Sequence, residues 1–251
     1  MELSKRLYAV AGLVTEGASV ADIGTDHGYI PIYLIKKKIA RKVIALDVRK
    51  GPLERARMHI IGHGLKGQIE TRLSDGLKEV APGEVDTMIA AGMGGGLVIH
   101  ILKDSPEVTA SITSFILQPQ SEIEKVREYL NTHGFRIRQE KMVEEGGKYY
   151  PMMCAVHGDG EDYEPYEYLY GKRLLEKEDP VLYRYLLREQ KIRESILEQL
   201  RRHKNSPTAR ERELDIRRGW QQIRQALAHY QTEERCDKLK KEEDNAVSGN
   251  H

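Results

Sequence analysis

Cysteine is scarce: Cys154 and Cys236 are the two in 251 residues, and they lie in different regions. They offer neither a paired disulfide framework nor the clustered spacing of a zinc site, so no metal is expected and a reduced, cytoplasmic protein is. The stretch Met1-Glu-Leu-Ser-Lys-Arg-Leu7 lacks the apolar core of a secretory leader. A long hydrophobic run is missing as well. The longest apolar region, Met88 to Leu102, is broken by Gly92, Gly94, Gly95 and Gly96, so nothing is expected to span a membrane. Neither sign of charge dominates, the formal net being +1, yet hydrophobic residues at 39% suffice for a packed core. This length holds one sizeable α/β domain with a small appendage.

What is present is organised around Val20-Ala-Asp-Ile-Gly-Thr-Asp-His-Gly-Tyr29. A strand from Ser19 to Ile23 ends at Gly24, Gly28 leaves room for a second close approach of backbone to ligand, and Ile30 to Ile39 carries a helix pattern. Such a turn aims backbone N–H groups and a helix N-terminus at a bound polar group. A ligand-free strand-to-helix connection would read the same from these ten residues alone. The next strand, Lys42 to Leu46, ends in Asp47, about 20 residues beyond the turn, where an acid at an exposed strand end grips both ribose hydroxyls. The first loop lacks G-x-G-x-x-G. Its Asp22-x-Gly24-x-Asp26-x-Gly28 resembles motif I of S-adenosylmethionine methyltransferases, which favours that cofactor over a nicotinamide dinucleotide.

The chain opens with an amphipathic helix (Leu3, Leu7, Val10, Ala11, Val14) stopped by Gly17. After the second strand, Gly51-Pro52 starts a helix with Leu53, Ala56, Ile60 and Ile61 facing inward. Gln68 to Leu73 forms a third strand closed by Ser74-Asp75-Gly76. Asp75 either accepts from an adenine amino group or caps a following helix. A fourth strand, Val85 to Gly92, runs into Met93-Gly-Gly-Gly96, the loop that holds the acceptor in this class of enzyme. The Asp/Asn-Pro-Pro-Tyr/Phe tetrad of amino-nitrogen adenine methylases is absent, and Ala91-Gly-Met-Gly94 stands there instead. Ser114 to Leu117, Phe135 to Gln139 and Met152 to Val156 bring the strands to seven, with Gly146 to Tyr150 as a connection.

Past Gly158 the pattern is helical. Tyr166, Leu169, Tyr170 and Leu174 suggest a short helix, and Tyr185, Ile192, Ile196 and Leu200 a long one that breaks at Asn205-Ser-Pro207. Ile216, Trp220, Ile223, Leu227 and Tyr230 mark a second long helix, so the two form an antiparallel coiled-coil hairpin. Between Val181 and Tyr230 stand twelve Lys and Arg against six acids. Arg201, Arg202, Lys204, Arg210 and Arg212 cluster at the tip, where they either hold a phosphate backbone or form a solvated face. The expected domains are 1–158, 159–237 and a polar, disordered tail at 238–251.

With Asp22-Ile-Gly-Thr-Asp-His-Gly-Tyr29, Ala91-Gly-Met-Gly-Gly95, Leu117-Gln-Pro-Gln120 and Gly147-Lys-Tyr-Tyr-Pro-Met152 in order, the chain resembles the TrmK family of bacterial tRNA (adenine-22-N1)-methyltransferases along essentially its whole length. The resemblance implies an α/β, Rossmann-like class I methyltransferase domain followed by an all-α coiled-coil hairpin. It implies S-adenosylmethionine as cofactor and adenine 22 in the D arm of tRNA as acceptor; a monomer with no membrane and no metal is expected beside it, with the oligomeric state left open by the sequence. By position, Asp22, Gly24 and Gly28 serve the methionine end of the cofactor, Asp47 and Val48 the ribose, and Asp75, Gly76, Ala91 and Gly92 the remaining cofactor contacts. Met93, Gly94, Gln118, Arg201, Arg202, Lys204 and Arg210 are expected to bind substrate. Asp26 replaces a glycine of the wider class and with His27 and Tyr29 forms the expected catalytic group. His27 as a turn residue and Tyr29 as a packing residue stay open. So do a small-molecule acceptor with the hairpin used for dimerisation, and a non-enzymatic interaction arm.

Overall fold

Apolar and alternating segments form seven strands: β1 (Ala18–Ile23), β2 (Ala40–Asp47), β3 (Ile69–Leu73), β4 (Thr87–Met93), β5 (Ser114–Pro119), β6 (Phe135–Glu145) and β7 (Lys148–His157). The computed structural model describes residues 2–202 and 207–230. The strands lie in one sheet in the order β3-β2-β1-β4-β5-β7-β6. β1 to β5 pair in parallel, and β7 runs antiparallel between β5 and β6. Every residue of β1 is buried, as expected of a central parallel strand covered on both faces.

Six helices cover the sheet: α1 (Lys5–Ala11), α2 (Tyr29–Lys36), α3 (Lys50–Gly62), α4 (Gly95–Asp104), α5 (Pro106–Ser111) and α6 (Ile123–Thr132). Ile32, Leu34, Val43, Ile60 and Ile89 belong to the core under α1, α2 and α3. Leu46, Met88, Val98, Ile101, Phe115 and Val126 belong to the core under α4, α5 and α6. Each such aliphatic side chain taken from water stabilises the fold by roughly 1.5–3 kcal/mol. The chain therefore reverses direction across the sheet between β1 and β4, which is where open α/β sheets leave a crevice.

Several boundaries differ from the sequence expectation. α1 ends at Gly12, whose N–H bonds Tyr8 O at 3.0 Å, while Gly17 sits at φ +80° and leads into β1. The segment after Asp75 is a turn and not a helix, so Asp75 caps none. Gly146 and Gly147, both at positive φ, make a tight hairpin turn, and Lys148 to Tyr150 belong to β7. β6 extends to Glu145 because each of its later residues finds a ladder partner on β7.

The chain folds as two compact units, one spanning Met1–Asp162 and one beginning at Tyr163. The second contains α7 (Pro165–Tyr170), α8 (Lys172–Glu176), α9 (Pro180–Arg202) and α10 (Pro207–Leu227). Glu164 and Glu167 cap α7 reciprocally, and Asp179 Oδ1 accepts from Val181 N and Leu182 N at 2.9 and 3.0 Å to start α9. Tyr183 stands beside Tyr230 and Glu194 beside Trp220, so α9 and α10 run antiparallel. Leu182, Leu186, Ile223 and Ala226 are fully buried. Ile192, assigned to this seam by its spacing, is instead 41% exposed. Among the described residues no helix is long and apolar enough to cross a membrane.

Candidate active site

A cavity of about 580 Å³ opens at the carboxyl ends of β1, β2 and β4, at the reversal point of the sheet. Asp22, Gly24, Asp26, Tyr29, Asp47, Val48, Asp75, Gly76, Ala91, Gly92 and Met93 all line it. Three neighbouring parallel strands end side by side, so each contributes residues from its last ladder pairs and from the turn that follows.

Asp22 is the second-last residue of β1 and is 4% exposed. Burial pushes its carboxyl up to about 7; Thr25 opposes the shift and the neighbouring Asp47 adds to it. Asp47 is buried too, not at an exposed strand end, because Oδ1 folds back to accept from Arg49 N at 2.8 Å. That bond leaves Oδ2 for a ligand. Thr25 Oγ1 is buried beside the cavity within reach of the Asp22 carboxylate that it holds down, and it has no other side-chain or backbone partner. Gly24 takes φ +71°, and a Cβ there would meet Met93 Cε at 3.3 Å. Gly28, also at φ +71°, approaches Ala56 of α3 and not the cavity. Its small size is thus used for α2–α3 contact.

Asp26 holds a left-handed backbone, φ +48°, which the glycine it replaces would adopt without strain. Its carboxylate projects to solvent and meets Arg55 Nη2 at 3.1 Å through Oδ1. His27 Nε2 lies 3.8 Å from Oδ2. The His27 ring stacks on Tyr29 and on His59, with centroids 5.2 and 5.5 Å away, and His59 Nδ1 donates to His27 O at 3.0 Å. His27 does not line the cavity, whereas Tyr29 does. His27 Nδ1 is buried without a partner.

On the β4 side, Gly92 at φ +85° lets the chain turn past Arg6. Gly94 caps α4, and a Cβ at Gly95 would meet Ser121 O at 2.5 Å, so α4 and the loop after β5 approach each other only through glycine. Gln118 is fully buried and accepts from Arg6 Nη1 at 2.8 Å, while Gln120 reaches the cavity wall. Arg6, Leu7, Arg49 and Leu97 line the cavity although no motif marks them, and Thr25 and Gln120 line it from within motifs that assign them no role. Arg6 stands with Lys5 at the start of α1, and nothing in the sequence separates it from a solvated cation. Lys204, Cys236 and the tail at 238–251 lie outside the described residues, as do the side chains of Arg201, Arg202 and Arg210.

A methyltransferase-domain family model matches residues 3–153. The Bacillus subtilis tRNA (adenine(22)-N(1))-methyltransferase is 37% identical over 159 residues, covering 63% of this chain and 67% of that protein. The crystal structure of the B. subtilis m1A22 tRNA methyltransferase TrmK superposes with a TM-score of 0.79 at 30% identity, over 90% of this chain and 99% of that one. The chain belongs to the TrmK methyltransferase family. A second member of similar structure, Streptococcus pneumoniae Sp1610, was solved in complex with S-adenosyl-L-methionine; it has a TM-score of 0.80 and 31% identity, over 90% of this chain and all of that one. The cavity of the present TrmK member fits such a cofactor. It offers a buried acid near the end of β1, a second acid with an unused oxygen at the end of β2, and the buried Thr25 hydroxyl beside the first.

Proposed function

We infer that the protein transfers a methyl group from S-adenosyl-L-methionine to N1 of adenine 22 in the D arm of tRNA. The observation that carries this reading is the cavity whose walls gather Asp22, Gly24, Asp26, Asp47 and Asp75 in a chain of the TrmK family. The cofactor, when bound, supplies an electrophilic methyl group. Asp22 and Gly24 face its methionine end, Asp47 grips the ribose through Oδ2, and Asp75 accepts from the adenine amino group. Val48, Gly76, Ala91 and Gly92 complete the cofactor walls, and Met93 and Gly94 border the acceptor.

Adenine N1 has a free lone pair at neutral pH, so the residues around it need to align it and not deprotonate it. Alignment alone lowers a barrier by up to about 7–11 kcal/mol. The ring gains positive charge as the bond forms, and the Asp26 carboxylate stabilises that charge while Tyr29 stacks on the base. N1 lies on the Watson–Crick edge, so the target must be extruded at a cost of a few kcal/mol. The methyltransferase domain, 1–158, carries the cavity, and the helical domain, 159–237, offsets that cost as a coiled-coil hairpin whose basic residues hold tRNA phosphates. The enzyme works as a monomer in the cytoplasm. Methyl transfer from labelled cofactor to an unmodified tRNA transcript tests the reading: incorporation is expected to vanish when adenine 22 is replaced by guanine, and unchanged incorporation would refute the target.

The buried acids make cofactor binding sensitive to pH and to the loss of a single charge. Asp22 titrates near 7 in the unliganded protein and pairs, as carboxylate, with the cofactor's ammonium. Affinity for S-adenosylmethionine should therefore rise about tenfold between pH 6 and 8, with protons released on binding at the lower pH. The sign for stability is opposite. Because its folded pKa is raised, Asp22 favours the unliganded fold most in acid, and that contribution is lost as pH rises through 7. Calorimetric titration in buffers of different ionisation enthalpy reads both proton release and affinity, and a flat profile would remove Asp22 from the ammonium. Asp47→Asn should weaken cofactor binding by about tenfold or more, a loss in the range of one charge-assisted hydrogen bond. Wild-type affinity in a folded variant would sink the ribose assignment.

A further inference from the structure

A row of basic and aromatic side chains leaves the cavity mouth along the seam between α2 and α3. Arg55, His59 and His63 recur every four residues from α3 into its C-cap, so they stand on one face over about 12 Å, eight residues at 1.5 Å each. Each meets a group from the β1–α2 segment. Arg55 holds Asp26, His59 bonds the carbonyl of His27, and Lys36 Nζ donates to His63 Nδ1 at 3.0 Å. Tyr29 joins the row to the cavity, because it lines the wall and stacks on His59 with centroids 5.9 Å apart. Arg55, His59, His63 and Lys36 are all exposed.

The surroundings are strongly basic. From Lys36 to Lys66 there are ten Lys and Arg and two acids, of which Asp47 is buried in the cavity wall. His63 Nδ1 accepts from Lys36 Nζ, and partial desolvation and then the ammonium hold its imidazole below the usual range, so the charge at that end of the row is carried by Lys36. Arg55 and Asp26 are each at least half exposed, which makes their ion pair weak and easily exchanged for another anion. Cations interleaved with flat rings are the chemistry that single-stranded nucleic acid requires: charge for the phosphates and ring faces or edges for the bases.

We propose that the α2–α3 seam is a tRNA contact surface that holds the unpaired nucleotides next to the extruded adenine, through phosphate contacts to Arg55 and Lys36 and base contacts to the Tyr29–His59 pair. The inference rests on tRNA being the acceptor and deepens that reading. It places a tRNA contact at the cavity mouth in addition to the helical domain. When a phosphate engages Arg55, the guanidinium leaves Asp26, and the carboxylate becomes available to the adenine only with RNA in place.

Two full-length variants test it. One carries Lys36→Gln and Arg55→Gln; the other carries Lys36→Gln, His59→Ala and His63→Gln and leaves Asp26 and its partner intact. Binding of an unmodified tRNA transcript is measured across salt concentrations, with cofactor titration as the control for folding. Both variants should bind tRNA about tenfold more weakly at moderate salt. The double variant should lose about 1.4 from the slope of log affinity against log salt, two contacts at about 0.7 each. Cofactor affinity should stay at the wild-type value. Unchanged tRNA affinity in both, with the wild type still methylating tRNA, overturns the seam and leaves the proposed function standing. Weakening confined to the Arg55 variant also overturns it and reduces the surface to a single phosphate contact at Arg55. A wild type that neither binds nor methylates tRNA overturns the function and the seam together.

Discussion

Asp26→Asn is expected to slow methyl transfer by about 100-fold, with the affinities for cofactor and tRNA nearly unchanged. Asparagine tolerates the left-handed backbone found at this position, φ +48°, and it keeps an acceptor oxygen, so the substitution removes charge while preserving shape. If the carboxylate acts on positive charge that appears on adenine only as the methyl arrives, the loss falls on kcat and not on ground-state binding. The size matches the removal of one preorganised electrostatic contact, roughly 100- to 1,000-fold. Arg55 loses its carboxylate partner in the same variant, but an exposed pair contributes little to the fold. Single-turnover methylation with both ligands saturating measures the step, and a rate within about threefold of wild type would reduce Asp26 to a loop-shaping residue.

Ending the chain after Asp162 should leave a folded domain that binds cofactor normally and methylates tRNA about 1,000-fold more slowly at subsaturating tRNA. The cut spares Glu161, whose N–H donates to Asn131 Oδ1 and whose carbonyl accepts from Asn131 Nδ2, both at 2.8 Å. The first unit therefore keeps its own closing contacts. What it loses is a helical segment with twelve cations and six acids between Val181 and Tyr230. Losing several phosphate contacts at once is worth factors of about 10³ or more at moderate salt. A truncated domain that methylates tRNA at the full rate would show that the helical unit is not a tRNA-binding element.

The central strands β1, β2 and β4 were legible because parallel strands buried on both faces read as continuous apolar runs, and β3 and β6 because their residues alternate. The acids that end β1, β2 and β3 were legible for a related reason. A polar residue immediately after such a run has only the crevice or the solvent to face. Asp22, Asp26, Asp47 and Asp75 all reach the cavity on that logic. Gly28 keeps φ +71° and stands beside Ala56, outside the cavity lining; in sequence, a tight turn that serves helix packing reads the same as one that serves a ligand.

What stayed hidden depends on contacts far apart in sequence. Arg6 reaches the cavity from α1 only because α1 lies across the mouth beside Gln118. Arg127 sits on the polar face of α6 by its periodicity yet is 1% exposed, its guanidinium donating to the equally buried Glu140 at 2.8 Å. A pair of this kind is neutral to helix and strand patterns alike, since each member alone reads as a surface charge. Ile192 shows the converse, an aliphatic residue at seam spacing that the second unit leaves at its surface.

The most direct measurement is to incubate the purified protein with S-adenosylmethionine and an unmodified tRNA transcript, digest the RNA, and locate the added methyl by mass spectrometry. One methyl on N1 of adenine 22 is the expected result. A methyl at any other nucleotide, on the exocyclic amino group, or on no nucleotide at all would contradict it.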